Sequence, residues 1–413
     1  MLMANQQEES LTNMYEMFNI NEKIAKKAKM AEEKTLALFN EKYKNIVEHN
    51  QAKVLKAFID NGVASQHLLP SYGYGYGDLG REVIDKVFAQ VLGCEKSLVR
   101  PNFINGTHTI KTALFSVLRP NDTLLSITGE PYDTLINAIS KPNTGSLADF
   151  GVKFEKCSLL KGGDYLTKIK EKKPKAVFIQ KSKGYSDRRS LSTYEINDII
   201  RQIKSVSNSI VIVDNCYGEL VEKDEPNADL IAGSLIKNLG GTIAKTGGYI
   251  AGKAEYVELA GNHLTSIGIA DEAGGNLGIG ESILQGLWFA PIVVGEAIKT
   301  AIFANYLFNI EQEDRYDIVT PIKLNDAGKL EIFCQAIQSL SPIGSKETPI
   351  PWDMPGYKDK VIMACGSFIE GCSLEISADG RFTLPYTAYL QGGSSFDYAK
   401  YAVARGYQLV NET

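Results

Sequence analysis

The sequence predicts an α/β protein, a mostly parallel sheet held between helices and followed by a smaller α+β domain. Three observations carry this. Short β-type runs recur at Thr123–Thr128, Ala176–Gln180, Ile210–Asp214 and Gly248–Ala251. Longer amphipathic stretches such as Ser192–Val206 separate them, and strands alternating with helices build parallel sheets covered on both faces. After about Gly280 the texture changes to helical runs at Ile298–Phe308 and Lys329–Leu340. A proline-rich stretch and short strands follow.

In chain order, the first sixty residues read as a helical arm. Leu36, Phe39, Tyr43 and Ile46 recur at spacings of three and four, as do Leu55, Phe58 and Ile59. With 413 residues the chain exceeds one small core, and the expected division is 1–60 for the arm, 61–285 for the large domain and 286–413 for the small one. Two glycine motifs are decoys. Gly75–Gly80 spells G-x-G-x-x-G, but Pro70 interrupts any strand before it, and without that strand the fingerprint has no pyrophosphate to meet. Gly247–Lys253 begins like a P-loop, yet Ala254 stands where a magnesium-binding hydroxyl is needed. No G-x-S-x-G elbow occurs.

Bulk properties exclude several classes. Forty-four basic against 49 acidic residues give a net charge of -5, without the clustered basic excess of a nucleic-acid or anionic-membrane surface. No uninterrupted apolar run approaches the ~20 residues of a membrane span, and MLMANQQEES lacks the pattern of a signal peptide, so a cytoplasmic location is expected. The six cysteines and four histidines are scattered, and no metal site is expected from such spacing.

Four segments carry chemistry. Asp214 ends the apolar run IVIVD, where sheet proteins bind ligands beyond the carboxyl ends of their strands. A carboxylate buried there needs a cation. It is a helix cap, a metal ligand, or the counter-charge of a pyridinium such as that of pyridoxal 5′-phosphate (PLP). Lys237 lies among small and apolar residues in AGSLIKN; either it is an ordinary turn lysine, or burial lowers its pKa and frees the amine for Schiff-base formation. Ser234 precedes it by three positions and can direct a hydroxyl at a phosphate. Asn105-Gly106-Thr107-His108-Thr109 opens an expected helix to Leu118, a place for a phosphate on its first amides or for a cap at Thr107 or Thr109. Tyr132, just after the TLLSIT run, is a loop tyrosine or a stacking partner for a pyridine ring. The order of the four (phosphate helix, aromatic, strand-end Asp, Ser-x-x-Lys) favours PLP.

These residues resemble the fold-type-I PLP enzymes of the cystathionine β-lyase and methionine γ-lyase group, and within it the bacterial aluminium-resistance, cystathionine β-lyase-like branch. The resemblance rests on YGYGDLGRE (Tyr74–Glu82), NGTHTIKTALFSVLRPND (Asn105–Asp122), QKSKGYSDRRS (Gln180–Ser190), VDNCYGE (Val213–Glu219), GSLIKN (Gly233–Asn238), KTGGYIAGK (Lys245–Lys253) and the segments Ile369–Gly380 and Pro385–Gly393. It implies a seven-stranded sheet in a PLP-dependent transferase-like fold, a smaller C-terminal domain, and a homodimer or homotetramer with shared sites. It assigns the Schiff base to Lys237, the ring nitrogen to Asp214 and the ring face to Tyr132. Gly106, Thr107, His108 and Ser234 fall to the phosphate, and Gln180 to the region of the ring hydroxyl. Tyr74, Tyr76 and Arg81 are then the neighbour's contribution, with one tyrosine protonating a leaving sulfur. Ile236 stands where other lyases of the group carry threonine, and Leu239 where the branch has proline. The Pro-Ile-Arg run is replaced by Arg381-Phe382-Thr383-Leu384-Pro385, so Arg381 is the expected partner of the substrate carboxylate. The implied reaction is carbon–sulfur lysis of a thioether amino acid by β- or γ-elimination. The alternatives are a stress-related PLP-binding protein of little turnover, or transamination or aldol-type cleavage on the same cofactor.

Overall fold

The computed structural model describes residues 14–412. Its helices are α1 (Glu22–Lys42), α2 (Lys44–Asp60), α3 (Leu79–Leu92), α4 (Gly106–Val117), α5 (Asp133–Ser140) and α6 (Tyr165–Lys172). They continue with α7 (Thr193–Val206), α8 (Ala254–Leu264), α9 (Gly280–Phe308), α10 (Ala327–Ser339) and α11 (Phe396–Glu412). The chain forms two units, Glu48–Pro291 and the chain up to Val47 joined to the chain from Ile292.

Glu48–Pro291 holds a seven-stranded sheet. Its strands are β1 (Lys96–Arg100), β2 (Thr123–Ser126), β3 (Lys153–Lys156), β4 (Ala176–Gln180), β5 (Ile210–Asp214), β6 (Leu230–Ser234) and β7 (Gly248–Gly252). The spatial order is β1-β7-β6-β5-β4-β2-β3; β7 runs antiparallel to both neighbours and every other pair is parallel. β4, β5 and β6 are buried along their whole length. That is why β4 and β5 read as continuous apolar runs rather than alternation. Leu98, Ile110, Leu114, Phe178, Ile212, Ile250 and Val257 pack together in its core. α7 begins at the capping box of Ser192 and Glu195. The Gly75–Gly80 segment leads from a loop into α3, and Gly247–Lys253 contains β7, so neither glycine motif has the context of a nucleotide site.

The other unit carries a four-stranded antiparallel sheet, β8 (Thr320–Lys323), β9 (Val361–Cys365), β10 (Ser377–Arg381) and β11 (Thr387–Gln391), in the order β8-β11-β10-β9. α1 belongs to its core: Ala25, Ala28 and Ala31 pack with Phe333, Ile337 and Val403. Glu32 pairs with Lys400 at 2.9 Å.

Of the expected arm of residues 1–60, the first 13 lie outside the described residues, and the rest is divided. Small alanines let α1 approach the C-terminal helices closely. α2 is instead tied to the sheet unit, where buried Asn50 donates from Nδ2 to the carbonyls of Leu220 and Glu222. The expected apolar stripe also changes: Phe39 and Tyr43 are buried, whereas Leu36, Leu55 and Ile59 are exposed. α9, 29 residues long, is apolar enough by length and composition to cross a membrane, and 72% of its most apolar window is buried by protein. Glu281, Glu296 and Lys299 interrupt its apolar sequence, and the last two pair at 2.6 Å. It is a buried core helix.

Candidate active site

The carboxyl ends of β4, β5 and β6 bring the candidate residues together. Gln180 and Asp214 end adjacent strands and pair in register, and Asp214 faces Ala232 of β6 across the next ladder. Lys237 follows β6 by three residues, at the start of a tight turn over Asn238–Gly240. Its Nζ lies 3.8 Å from the centroid of the Tyr217 ring, a cation–π contact. Tyr217 itself holds a left-handed φ of 68°, a conformation that costs a non-glycine residue about 1 kcal/mol or more. The strain sits in the loop beneath the lysine.

Asp214 is 6% exposed. Its Oδ1 accepts from the amide of Cys216 at 3.1 Å. Burial pushes its carboxyl above the ordinary range, while the Lys237 charge, the Cys216 amide and thiol and the Gln180 side chain oppose that rise. Burial likewise works against the Lys237 ammonium, but the acidic groups around it, Cys216, Tyr217, Asp214 and Tyr132, outweigh that, and the amine is held well above its usual value. The expected depression of Lys237 is thus reversed, because desolvation meets several acidic partners at once. Burial, with Asp214 and Cys216 nearby, also keeps the Tyr132 phenol protonated.

The phosphate side is built on α4. Its N-cap is Asn105, whose side chain accepts from the His108 amide at 2.8 Å; the cap expected at Thr107 or Thr109 is corrected to this residue. Gly106 and Thr107 contribute the first helical amides, which have no intrahelical acceptor. A Cβ on Gly106 would lie 3.5 Å from both Ser234 Cβ and Cys216 Sγ, so the helix start adjoins β6 and the loop after β5. Thr107 Oγ1 reaches the Tyr132 hydroxyl at 3.3 Å and Thr134 Oγ1 at 3.0 Å. Ser234 is fully buried, its Oγ accepting from the Ile236 amide at 3.3 Å.

Other expected residues are placed differently. The His108 ring folds back on its own loop, accepting from the Ile104 amide at 3.3 Å and packing edge-on to Phe103. Tyr74 and Tyr76 are 76% and 61% exposed and stack on each other with centroids 5.6 Å apart. Arg81 is 3% exposed, and its guanidinium donates to the carbonyls of Gly75 (2.6 Å), Gly274 (3.1 Å) and Glu272 (3.0 Å). It braces the tyrosine loop rather than presenting a free cation. Arg381 ends β10 in the other unit. Sequence reasoning gave no role to Cys216, Tyr217, Thr134 or Glu219; the available signals were proximity to the strand-end Asp214 for three of them and to Tyr132 for Thr134.

The residues present suit PLP on the structure's own terms. A buried carboxyl and an amine share one electrostatic site, a protonated phenol adjoins them, and helix amides beside a glycine and two hydroxyls offer a phosphate cradle. At 13% identity and a TM-score of 0.59, covering 89% of this chain and 96% of the other, the likeness to a PLP-dependent protein of Escherichia coli shows the fold. The fold is that of fold-type-I PLP enzymes. The chain belongs to the methionine gamma-lyase family, whose model matches residues 24–411. It is 44% identical over 399 residues to the Bacillus subtilis protein YnbB, which has no assigned function, across 92% of this chain and 95% of that one. A solved carbon-sulfur lyase involved in aluminum resistance from Clostridium novyi is similar at 41% identity and a TM-score of 0.92, covering 98% and 99% of the two chains. A candidate cystathionine beta-lyase involved in aluminum resistance from Clostridium acetobutylicum is similar at 44% identity and a TM-score of 0.91, covering 97% of each.

Proposed function

We propose that this protein is a PLP-dependent carbon–sulfur lyase acting on a thioether amino acid, cystathionine- or methionine-like, by Cα deprotonation followed by β- or γ-elimination. The observation that carries the reading is the shared site of Lys237 and Asp214, which act on one another and both on the Tyr132 phenol. The names of the Clostridium relatives point to the same chemistry.

Lys237 would bind the cofactor aldehyde, Asp214 its ring nitrogen, and the α4 amides of Gly106 and Thr107 with the hydroxyls of Thr107 and Ser234 its phosphate. Gln180 would stand near the ring hydroxyl. When bound, the cofactor supplies an electron sink for the carbanion at Cα. Lys237 is the base for the Cα proton, and a base already in position makes that transfer effectively unimolecular. Asp214 would serve as the counter-charge of that ring nitrogen. Tyr132 offers an aromatic face. Arg381 would take the substrate α-carboxylate bidentately. Tyr74 or Tyr76, exposed on its own chain, would reach the site of a second copy and protonate the leaving sulfur, which requires a homodimer or a homotetramer built from it. Six free thiols accord with a reducing, cytoplasmic setting.

The test is an absorbance spectrum of the purified protein with PLP, followed by product assay with cystathionine, methionine and cysteine. The Schiff-base band together with pyruvate or 2-oxobutyrate release is expected. A strong band with amino-group exchange or aldol products, and no thiol release, would replace the lyase assignment by another PLP reaction.

A further inference from the structure

Glu219 is a fully buried acid that the proposed chemistry does not use. It lies five residues after Asp214, in the loop that carries Cys216 and Tyr217. Its Oε1 accepts from the Tyr249 hydroxyl at 2.9 Å, and its backbone carbonyl accepts from Asn238 Nδ2 at 2.9 Å. β6 makes room for it at Gly233, where a Cβ would stand 2.6 Å from Glu219 Oε1 and from the Tyr249 hydroxyl.

Oε2 has no hydrogen-bond partner among the described residues, and neither do the buried side-chain oxygens of Asn215 and Asn238. Three buried acceptor oxygens, on Glu219 and on the residues after Asp214 and Lys237, thus lack a donor among the described residues. Glu225 is served quite differently: Asn215 Nδ2 and the Leu220 amide each donate to it at 2.8 Å, and the Lys53 ammonium acts on it from α2. A carboxylate buried beside another acid and short of donors is expensive, whereas a carboxylic acid brings its own donor.

We propose that Glu219 holds a proton on Oε2 at neutral pH and, as a neutral acid, supplies the donor that this amide cluster lacks. In doing so it positions Asn215 and Asn238, the residues that directly follow Asp214 and Lys237. The role toward Lys237 rests on the lyase reading; the protonation does not. The groups acting on Glu219 are Glu225 on its own loop, Tyr249 on β7, Lys237 after β6 and the Cys216 thiol. Burial is the largest influence, and it carries the carboxyl from 4.5 to about 8 despite its own backbone amide, with Glu225 adding to the rise and Tyr249 and Lys237 opposing it.

The sign of the linkage follows. Between the two values the folded chain holds a proton that the unfolded chain has released, so this group's stabilisation is full below pH 4.5 and is lost as pH rises towards about 8. The full chain, carbon-13 labelled at glutamate carboxyls, is titrated by NMR. One resonance in the un-ionised position at neutral pH, titrating near pH 8 and missing in Glu219→Gln, is the expected result. Every glutamate ionised at neutral pH would overturn the proposal, and the wild-type titration decides this even if the variant does not fold. Denaturant unfolding across the same range should show Glu219→Gln with a shallower loss of stability by one proton's linkage; equal slopes contradict it. Addition of PLP should move the un-ionised resonance. Appearance of the Schiff-base band without such movement overturns the positioning role, whereas failure of the band to form counts against the cofactor reading and leaves the titration to decide the protonation.

Discussion

The strand-end cluster and the tyrosine loop are two parts of one proposed site, built in opposite ways. Around Asp214 and Lys237 the functional atoms are buried and their partners all come from Glu48–Pro291. In the loop, the buried element is the Arg81 guanidinium fixed to three carbonyls, and the side chains expected to do chemistry point outward. The first region is pre-organised to act on something brought into it. The second is a braced loop whose exposed tyrosines, on the proposed reading, would act on another surface. On that reading a chain that sends its proton donor outward would be incomplete as a monomer.

The largest expected effect breaks the first region. Lys237→Ala should remove the Schiff-base absorbance and reduce turnover by ~10³-fold or more, since nucleophile and base are lost together; full absorbance in the variant contradicts the assignment. Next is Asp214→Asn, which keeps the shape and removes the charge. A loss of ~10²-fold in kcat or more is expected from the weakened counter-charge, with the band retained but weaker or shifted. A variant with wild-type kcat would move the electrostatic role elsewhere.

The second region is tested by mixing subunits. Lys237→Ala and a Tyr74→Phe/Tyr76→Phe double variant, each impaired alone, should recover up to ~25% of wild-type activity when unfolded and refolded together, because half the random dimers carry one intact site. No recovery means the tyrosines act within their own chain. The smallest effects concern stability. Arg81→Met should destabilise by about 2 kcal/mol in denaturant titration, leaving three carbonyls short of donors. The Tyr74→Phe/Tyr76→Phe variant should stay within about 0.5 kcal/mol of the wild type, as expected for exposed positions. If Arg81→Met is as stable as the parent and fails instead to retain PLP, the arginine is a cofactor ligand after all.

Much of this was legible in the chain itself. β4 and β5 begin and end where their apolar runs do, since strands buried on both faces tolerate little else. α4 was visible from Asn105 onward because a cap is a local, sequence-encoded hydrogen bond, although the capping residue was placed two to four positions late. β1, β3 and β6 were not read. β1 and β3 carry lysine and β6 carries Gly233 and Ser234, so none looks strand-like without its neighbours. Arg81 was assigned by motif position, and only the fold shows its guanidinium already committed to three backbone carbonyls. Tyr217 lies beneath Lys237 through a left-handed backbone that no residue type announces.

Local chemistry and periodicity thus determined which segments are strands and helices in the middle of the chain, and picked out a lysine, an aspartate and a tyrosine that the fold brings together. The fold alone decided the division of the N-terminal arm between two cores, the burial of α9, the rise rather than fall of the Lys237 amine, and the isolation of the Glu219 carboxyl. Each of these depends on which groups from distant parts of the chain share one small volume. Desolvation and charge pairing act through space, and spacing along a chain does not encode them.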